Sequence, residues 1–484
     1  MKNMIMKNKN PFIIFKLMIV VFLLNGCKKF VAIPPPTTEI TAATVFGNTG
    51  TVTAALTGIY TQMYNNAESW EMAQNQGLLS DELTSYSTSA GQEHLYTNGM
   101  LVSDNLGEWY NAYYYTYEAN AIIAGLEAND NISQAVNQEV TGEAKFIRAF
   151  WLFYLTNLYG AIPLVTTTSY STNGSISRSP VNAIYSQVKQ DLIDAESLLN
   201  SNYVDQTDTA ITTERTRPTR AAAAALLARV YLYNQNWDSA EQQATLVINN
   251  NLYALGGLGG IVDSVFLKNS IEAIWQLATP LPTNFNTYDA QNFTLTAAPS
   301  TGSQNSTTIS PELLNAFESG DLRKSKWIGI YTTPSPSIPY YYPHKYYVIN
   351  SSTVTEYTMV LRLAEQYLIR AEAEAHLGHM SDAAKDLNMV RARAGLGPSP
   401  TLTASASLQQ ADSAILHERQ VELFTEWGHR WFDLIRMGAV DSVMGAPGNV
   451  CISKGGIWNV NDVLYPVPEV EINSDPKLTQ NPGY

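Results

Sequence analysis

Only two cysteines, Cys27 and Cys451, occur among the 484 residues, so no framework of disulfides can hold this chain and stability has to come from a hydrophobic core. Cys451 sits between Val450 and Ile452 with Lys454 as the one nearby charge, which reads as an inert thiol. Basic residues are scarce as well. Lys and Arg number 29 against 43 Asp and Glu, a net charge of -14, and no basic stripe is interleaved with aromatics. That balance argues against nucleic acid or an acidic membrane surface as partner. The apolar run from Leu17 to Leu24 falls far short of the ~20 residues needed to cross a bilayer, and no other segment approaches that length. Phosphate loops, G-x-S-x-G, H-E-x-x-H and the dinucleotide glycine fingerprint are all missing, so no catalytic residue is assigned and an enzyme is not expected. His376 and His379 share a helical spacing without partners to complete a ligand set; no metal and no cofactor are expected.

What the chain does have begins with order at its start. Lys2, Lys7, Lys9 and Lys16 precede Leu17 to Leu24, and Asn25-Gly26-Cys27 follows. A basic start, an apolar stretch and a small residue before the cut make an export signal, so residues 1–26 are expected to be removed and Cys27 acylated. Residues 1–26 carry four lysines and no acid, which leaves 25 basic and 43 acidic side chains. Residues 27–45 contain Pro34-Pro35-Pro36, a stiff spacer, and one body is expected over residues 46–484.

Helical spacing of apolar residues recurs along that body. Val52, Leu56, Ile59, Tyr60 and Met63 predict a helix over 51–66, and Trp109, Tyr113, Tyr117 and Ile122 another over 109–126. Residues 142–159 predict a largely buried helix stopped by Gly160 and Pro163, and residues 181–199 a thinner one. Residues 218–250, with Ala228, Tyr231, Trp237, Ala240 and Ala244, have the spacing of a tetratricopeptide helix pair, although Gln235 stands where the turn glycine is usual. A second copy runs from Leu361 to Ala394, with Ala371, Gly378, Ala383 and Leu387 in the matching places. The two scaffold segments, about 142–250 and 361–437, are separated by residues 251–350, and those residues together with about 66–105 read as irregular, polar and loop-rich. Within residues 408–437, Glu418, Glu422 and Glu426 are spaced for one helical face, with Arg430 and Arg436 as their expected cations and Asp433 in a structural pair.

Four motifs then carry a resemblance: Tyr159-Gly160-Ala161-Ile162-Pro163-Leu164; Leu361-Arg362-Leu363-Ala364-Glu365 leading to Ala371-Glu372; Glu418 to Arg436; and Tyr465-Pro466-Val467-Pro468 with Gln480-Asn481-Pro482-Gly483-Tyr484. The chain resembles the SusD/RagB family of outer-membrane nutrient-binding lipoproteins. The resemblance implies a mainly α fold built on tetratricopeptide-like helix pairs, with an irregular region on the ligand side. It also implies a lipid-anchored location at the outer membrane facing the cell surface, a glycan or peptide ligand, and a SusC-like TonB-dependent transporter as partner.

Aromatic side chains make up 11% of the chain, and 28 residues are tyrosine. Sugars lay their C–H faces on such rings while a few polar groups take their hydroxyls. Rings beside polar side chains occur in two stretches, which makes Trp70, Asp81, Tyr86 and Tyr96, then Phe285, Tyr288, Asn292, Trp327 and Tyr340, the candidate ligand residues. Trp275 belongs to a strand-like core run, and Trp109 and Trp151 to buried helical faces. The competing readings are a peptide-binding uptake protein, a surface glycan hydrolase using paired acids, and a helical scaffold without a small ligand.

Overall fold

The computed structural model describes residues 42–484, apart from Asn105 and residues 259–262 and 302–304. The signal, Cys27 and the proline spacer therefore lie outside the described residues. Phe46–Tyr484 forms one compact body. Its principal helices are α1 (Thr49–Asn65), α2 (Glu68–Leu79), α3 (Glu108–Glu127), α4 (Gln134–Tyr159), α5 (Val181–Leu198), α6 (Arg220–Tyr233), α7 (Trp237–Ile248), α8 (Leu363–His376), α9 (Met380–Arg393), α10 (Leu408–Leu423) and α11 (His429–Arg436). Local chemistry sets their ends. Gly160, at φ 71°, stops α4 where the sequence places the stop, and Ser407 with Gln410 forms a capping box at the start of α10.

Each helix from α3 to α9 packs against the next, and α10 lies against α8. The fold is mainly α, as the periodicity implies. In the first tetratricopeptide-like pair, α6 and α7, Gln235 takes the left-handed turn conformation at φ 54°, and Gly378 does the same at φ 85° between α8 and α9. The turn geometry is thus kept without the glycine, at the cost of some backbone strain. Although about a hundred residues separate the two pairs in sequence, α7 stacks directly on α8. Ala228, Leu232, Ala240 and Ala244 close on Ile369 and Ala373, with Trp237 packed against them. Small side chains let these backbones approach closely.

The intervening segment is looped out of that stack. Among the described residues its strands, like the others, pair only in twos: β1 (Leu83–Ser85) with β5 (Thr307–Ile309), β2 (Ile162–Pro163) with β3 (Arg178–Ser179), β4 (Ala273–Leu277) with β8 (Thr358–Arg362), and β6 (Ile328–Thr332) with β7 (Pro339–Pro343), all antiparallel. The β4–β8 ladder closes the loop-rich region at its base, and Trp275 on β4 is fully buried. Residues 70–105 are not loop-like: α2 fills the first third and a short helix, Ala90–Tyr96, follows β1. Their polar composition hid two helices, and the buried residues of α2 mix Glu68, Ser69, Gln74 and Gln76 with Met72, Ala73, Leu78 and Leu79, which blurs the apolar stripe.

Charge holds the layers together. Arg362 ends β8 and donates all five of its N–H groups: Nε to Glu426 Oε2 (2.7 Å), Nη1 to Glu272 Oε1 (2.9 Å) and Glu422 Oε1 (2.5 Å), and Nη2 to Glu426 Oε1 and the Glu422 carbonyl (2.8 Å each). Fully buried Arg323 joins Asp321 (2.8 Å) to Glu418 (2.6 Å) and Glu422 (2.9 Å), while Arg391 reaches Glu418, Arg393 reaches Glu422, and Lys345 reaches Glu426. Burial pushes the Glu422 carboxyl upward, but Arg393, Arg362 and Arg323 together hold it well below the usual range. The expected cations were wrong. Arg430 pairs with Asp81, and Arg436 with Glu372 and Asp433, because α10 ends at Leu423 and the backbone then turns through positive φ at Thr425, Trp427 and Gly428. Other buried arginines staple neighbouring helices: Arg148 to Asp191 across α4 and α5, Arg229 to Glu365 across α6 and α8, and Arg419 to Asp433 across α10 and α11.

Substituting Arg362→Met strands three buried carboxylates with fewer cations. A loss of about 3–5 kcal/mol is expected, seen as a clear fall in Tm by circular dichroism. An unchanged Tm would mean that the layers are held together without Arg362.

Candidate functional site

Pairing of β1 with β5 sets Leu83 opposite Ile309 and Ser85 opposite Thr307, and the Tyr86 amide continues the ladder by donating to the Ser306 carbonyl at 2.7 Å. The hairpin of β6 and β7 lies against β5. In that hairpin Tyr331 stands opposite Tyr340 and Gly329 opposite Tyr342, so the three tyrosines project from one face. A Cβ on Gly329 would fall inside the Tyr342 ring, which explains a glycine within a strand. At the edge, the Tyr86 and Tyr340 rings meet nearly perpendicular, 78° apart in plane with centroids 5.8 Å apart. Tyr86 is 36% exposed. Beside it, Ser306 Oγ donates to Gln92 Oε1 at 3.2 Å, and Tyr96 sits half-buried with Lys454 Nζ 5.3 Å from its ring centre.

A second group gathers on the short helix Tyr288–Phe293. Phe285 packs edge-on to Tyr288 at 4.9 Å, Tyr64 of α1 lies 5.4 Å from Tyr288, and Ser69 of α2 donates to Asp289 at 3.3 Å. Trp70, next to Ser69, keeps an indole N–H without a hydrogen-bond partner. Phe293 and Pro343 line one cavity of about 10 Å³, too small for a ligand, so the two groups share a wall.

Of the residues singled out from sequence, Tyr86, Tyr96 and Tyr340 come together in the first group, and Phe285 and Tyr288 in the second; Trp70 lies on α2 beside Ser69 without a ring contact to either among the described residues. Three others have no face to offer. Trp327 is fully buried, donates to Asp263, and lies under Lys345, Arg393 and Arg362 with centroid distances of 4.8, 5.3 and 5.8 Å. Asp81 is buried in a two-bond pair with Arg430, and Asn292 is 3% exposed. Pro and polar neighbours made these positions look like loops, whereas buried charge claims Trp327 and Asp81 and packing covers Asn292. Tyr331 and Gln92 were missed; the alternation Gly329, Tyr331 against Tyr340, Tyr342 was the available signal. His376 stacks on Trp237 with centroids 3.9 Å apart and Asp412 at 3.1 Å, whereas His379 is exposed at the turn between α8 and α9.

Two family models match, one described as SusD family over residues 333–484 and one described as starch-binding associating with outer membrane over residues 40–232. The chain belongs to the SusD/RagB family. It is 26% identical to SusD-like protein P2 of Formosa agariphila over 78% of this chain and 80% of that one, and 25% identical to SusD-like protein P25 of the same organism over 96% and 98%. A SusD superfamily protein of Bacteroides vulgatus superposes with a TM-score of 0.74 at 20% identity, covering 91% of this chain and 100% of the other. A laminarin-binding SusD-like protein does so with 0.68 at 23%, covering 90% and 99%. At these identities the structural likeness concerns the fold. The SusD-type motifs meet in space: Asn481 of the tail donates to the carbonyls of Tyr159 (3.0 Å) and Tyr465 (2.7 Å).

Burial draws the acids near the second group of this SusD-family body upward. Burial pushes Glu68 up to about 8, Glu71 to about 7 and Asp289 to about 7, none of them paired with a cation, and Tyr115 donates to Glu68 at 2.7 Å. Burial likewise raises Glu82 to about 8; at neighbouring Asp81 burial is outweighed by the Arg430 guanidinium and the carboxyl is held low. Unfolded, a glutamate ionises near 4.5, so between that value and 7 to 8 the folded chain holds more protons and loses stability as pH rises. Asp81 and Glu426, held low, lose their contribution only as pH falls below the usual carboxylate range. The Tm is therefore expected to decline from pH 5 to pH 8.5, and Glu68→Gln to flatten that decline. Parallel profiles for variant and wild type would show that Glu68 stays ionised.

Proposed function

We propose that this chain is an outer-membrane lipoprotein that captures a glycan on the face carrying Tyr86 and Tyr340 and passes it to a TonB-dependent transporter. One observation carries the binding reading: rings about 250 residues apart in sequence meet edge to face with centroids 5.8 Å apart, with Tyr86 partly exposed and the Gln92 amide nearby. Exposed tyrosine next to an amide is the chemistry that takes a sugar's C–H face and its hydroxyls. The starch-binding description of the family model and the laminarin-binding neighbour, both concerning glucans, support a neutral glycan as ligand. Binding without cleavage is favoured because the closely spaced acids Glu418 and Glu422 are fully buried and neutralised by Arg323, Arg391 and Arg393, out of reach of a substrate.

Affinity gels containing starch, laminarin or no polymer test the site. Retardation of the wild type is expected to weaken by roughly tenfold in Kd for Tyr86→Ala with Tyr340→Ala, with the melting profile kept. Full retardation of the double variant would place binding elsewhere, and retention on a peptide column alone would favour a peptide ligand. For the anchor, Cys27→Ala is expected to move the protein from the membrane fraction to the soluble periplasm, since acyl chains supply the attachment. Unchanged membrane association would exclude the lipid as the attachment.

A further inference from the structure

A second aromatic cleft, of about 450 Å³, is built from elements that contribute nothing to the Tyr86 face. Its floor is Trp109 and Tyr113 at the start of α3, with Trp109 edge-on to Tyr159 at 4.8 Å and the Tyr113 hydroxyl donating to the Pro163 carbonyl at 2.8 Å. Two rings stand at its rim with their faces in water: Tyr110 is 70% exposed and Tyr170 is 90% exposed. The opposite wall is the C-terminal helix Glu469–Ser474, which brings Glu471 and, just after it, Asp475 to the cleft. Among the described residues the Glu471 carboxylate and the hydroxyls of Tyr110 and Tyr170 make no hydrogen bond.

The walls are stapled in place. Arg178 of β3 donates to the carbonyls of Ala161 (2.6 Å), Tyr159 (2.9 Å) and Thr479 (2.8 Å), and Lys477 Nζ donates to Ser175 O at 2.7 Å. The tail and the β2–β3 segment are therefore tied to α4 and to each other, and a ligand entering the cleft would not have to order it. These cations are spent on backbone carbonyls; none of the residues lining the cleft is Lys or Arg. Glu471 and Asp475 repel phosphate, sulfate and uronate groups. A purely hydrocarbon ligand would leave the Glu471 carboxylate desolvated and unpaired. Flat exposed rings beside free hydrogen-bond acceptors suit a molecule with apolar C–H faces and neutral hydroxyls.

We propose that this cleft is a second carbohydrate subsite, taking a neutral oligosaccharide whose rings stack on Tyr110 and Tyr170 while its hydroxyls donate to Glu471. The assignment rests on the glycan-binding reading above. Two subsites on one rigid body give a long polymer a gain that a short oligosaccharide cannot collect, because the second contact becomes intramolecular.

The test titrates the full chain with maltoheptaose and laminarihexaose by calorimetry, and with starch and laminarin on affinity gels, comparing wild type, Tyr110→Ala/Tyr170→Ala and Tyr86→Ala/Tyr340→Ala. Expected are two oligosaccharide sites per wild-type chain and one in each double variant, with polymer affinity falling by at least about tenfold in the Tyr110/Tyr170 variant and an unchanged melting profile. Unchanged stoichiometry and polymer affinity in that variant, with all binding lost in the Tyr86/Tyr340 variant, would overturn this subsite and leave the first reading standing. Absence of any saccharide binding in the wild type would overturn both. Loss of a co-purifying membrane protein from the Tyr110/Tyr170 variant, with glycan binding intact, would make the cleft a protein-docking surface and overturn the proposal.

Discussion

The buried guanidinium of Arg362 is the constraint from which most of this body follows. It sits where strand β8 becomes helix α8, and its partners come from the start of β4, the end of α10 and the turn after it. Three separately threaded segments are thereby fixed to one planar fork, whose directional donors tolerate little displacement. A hydrophobic contact could slide; this one cannot. Such a network is not a large net source of stability, since desolvating so many charges offsets much of the attraction, but it makes wrong packings costly because each would strand a charge.

That rigidity bears on the surface. The looped-out segment between α7 and α8 carries most of the candidate ligand rings, and it is anchored at both ends by the network: Glu272 and Arg362 bracket the β4–β8 ladder, and Arg323 and Lys345 flank the β6–β7 hairpin. Tyr340 is held against Tyr86 by a hairpin whose base is bolted to the helical stack. Trp327, which lies between Arg323 and that hairpin, serves the bolt: its ring covers three cations. Aromatic richness thus divides into rings that present a face and rings that shield charge.

Local patterns in the chain carried the helices well. Residues 51–66 and 142–159, and the two tetratricopeptide-like pairs, lie where periodicity puts them, because each buries an apolar stripe whose spacing is a property of the helix itself. Helix α2 was illegible for the converse reason: polar Glu68, Ser69, Gln74 and Gln76 interrupt its buried apolar residues, and Glu68, Ser69 and Gln76 meet Tyr115, Asp289 and Tyr465, which lie far away in sequence. The candidate site was half legible. Tyr86, Tyr96 and Tyr340 were nominated as rings near polar groups, but nothing in their neighbourhoods tells them apart from Trp327 or Asn292.

The amino-acid order by itself determined the helical class, the stops at Gly160 and Gly378, the closeness of the small-residue helix pairs and the motifs of the SusD/RagB family, since each depends on residues within a few turns of one another. Which acid meets which arginine, which tyrosine keeps a free face, and that α7 rests on α8 across a hundred intervening residues were decided only in the tertiary structure. Those outcomes depend on pairings between distant segments, and a charge or a ring carries no mark of its partner until the chain has brought them together.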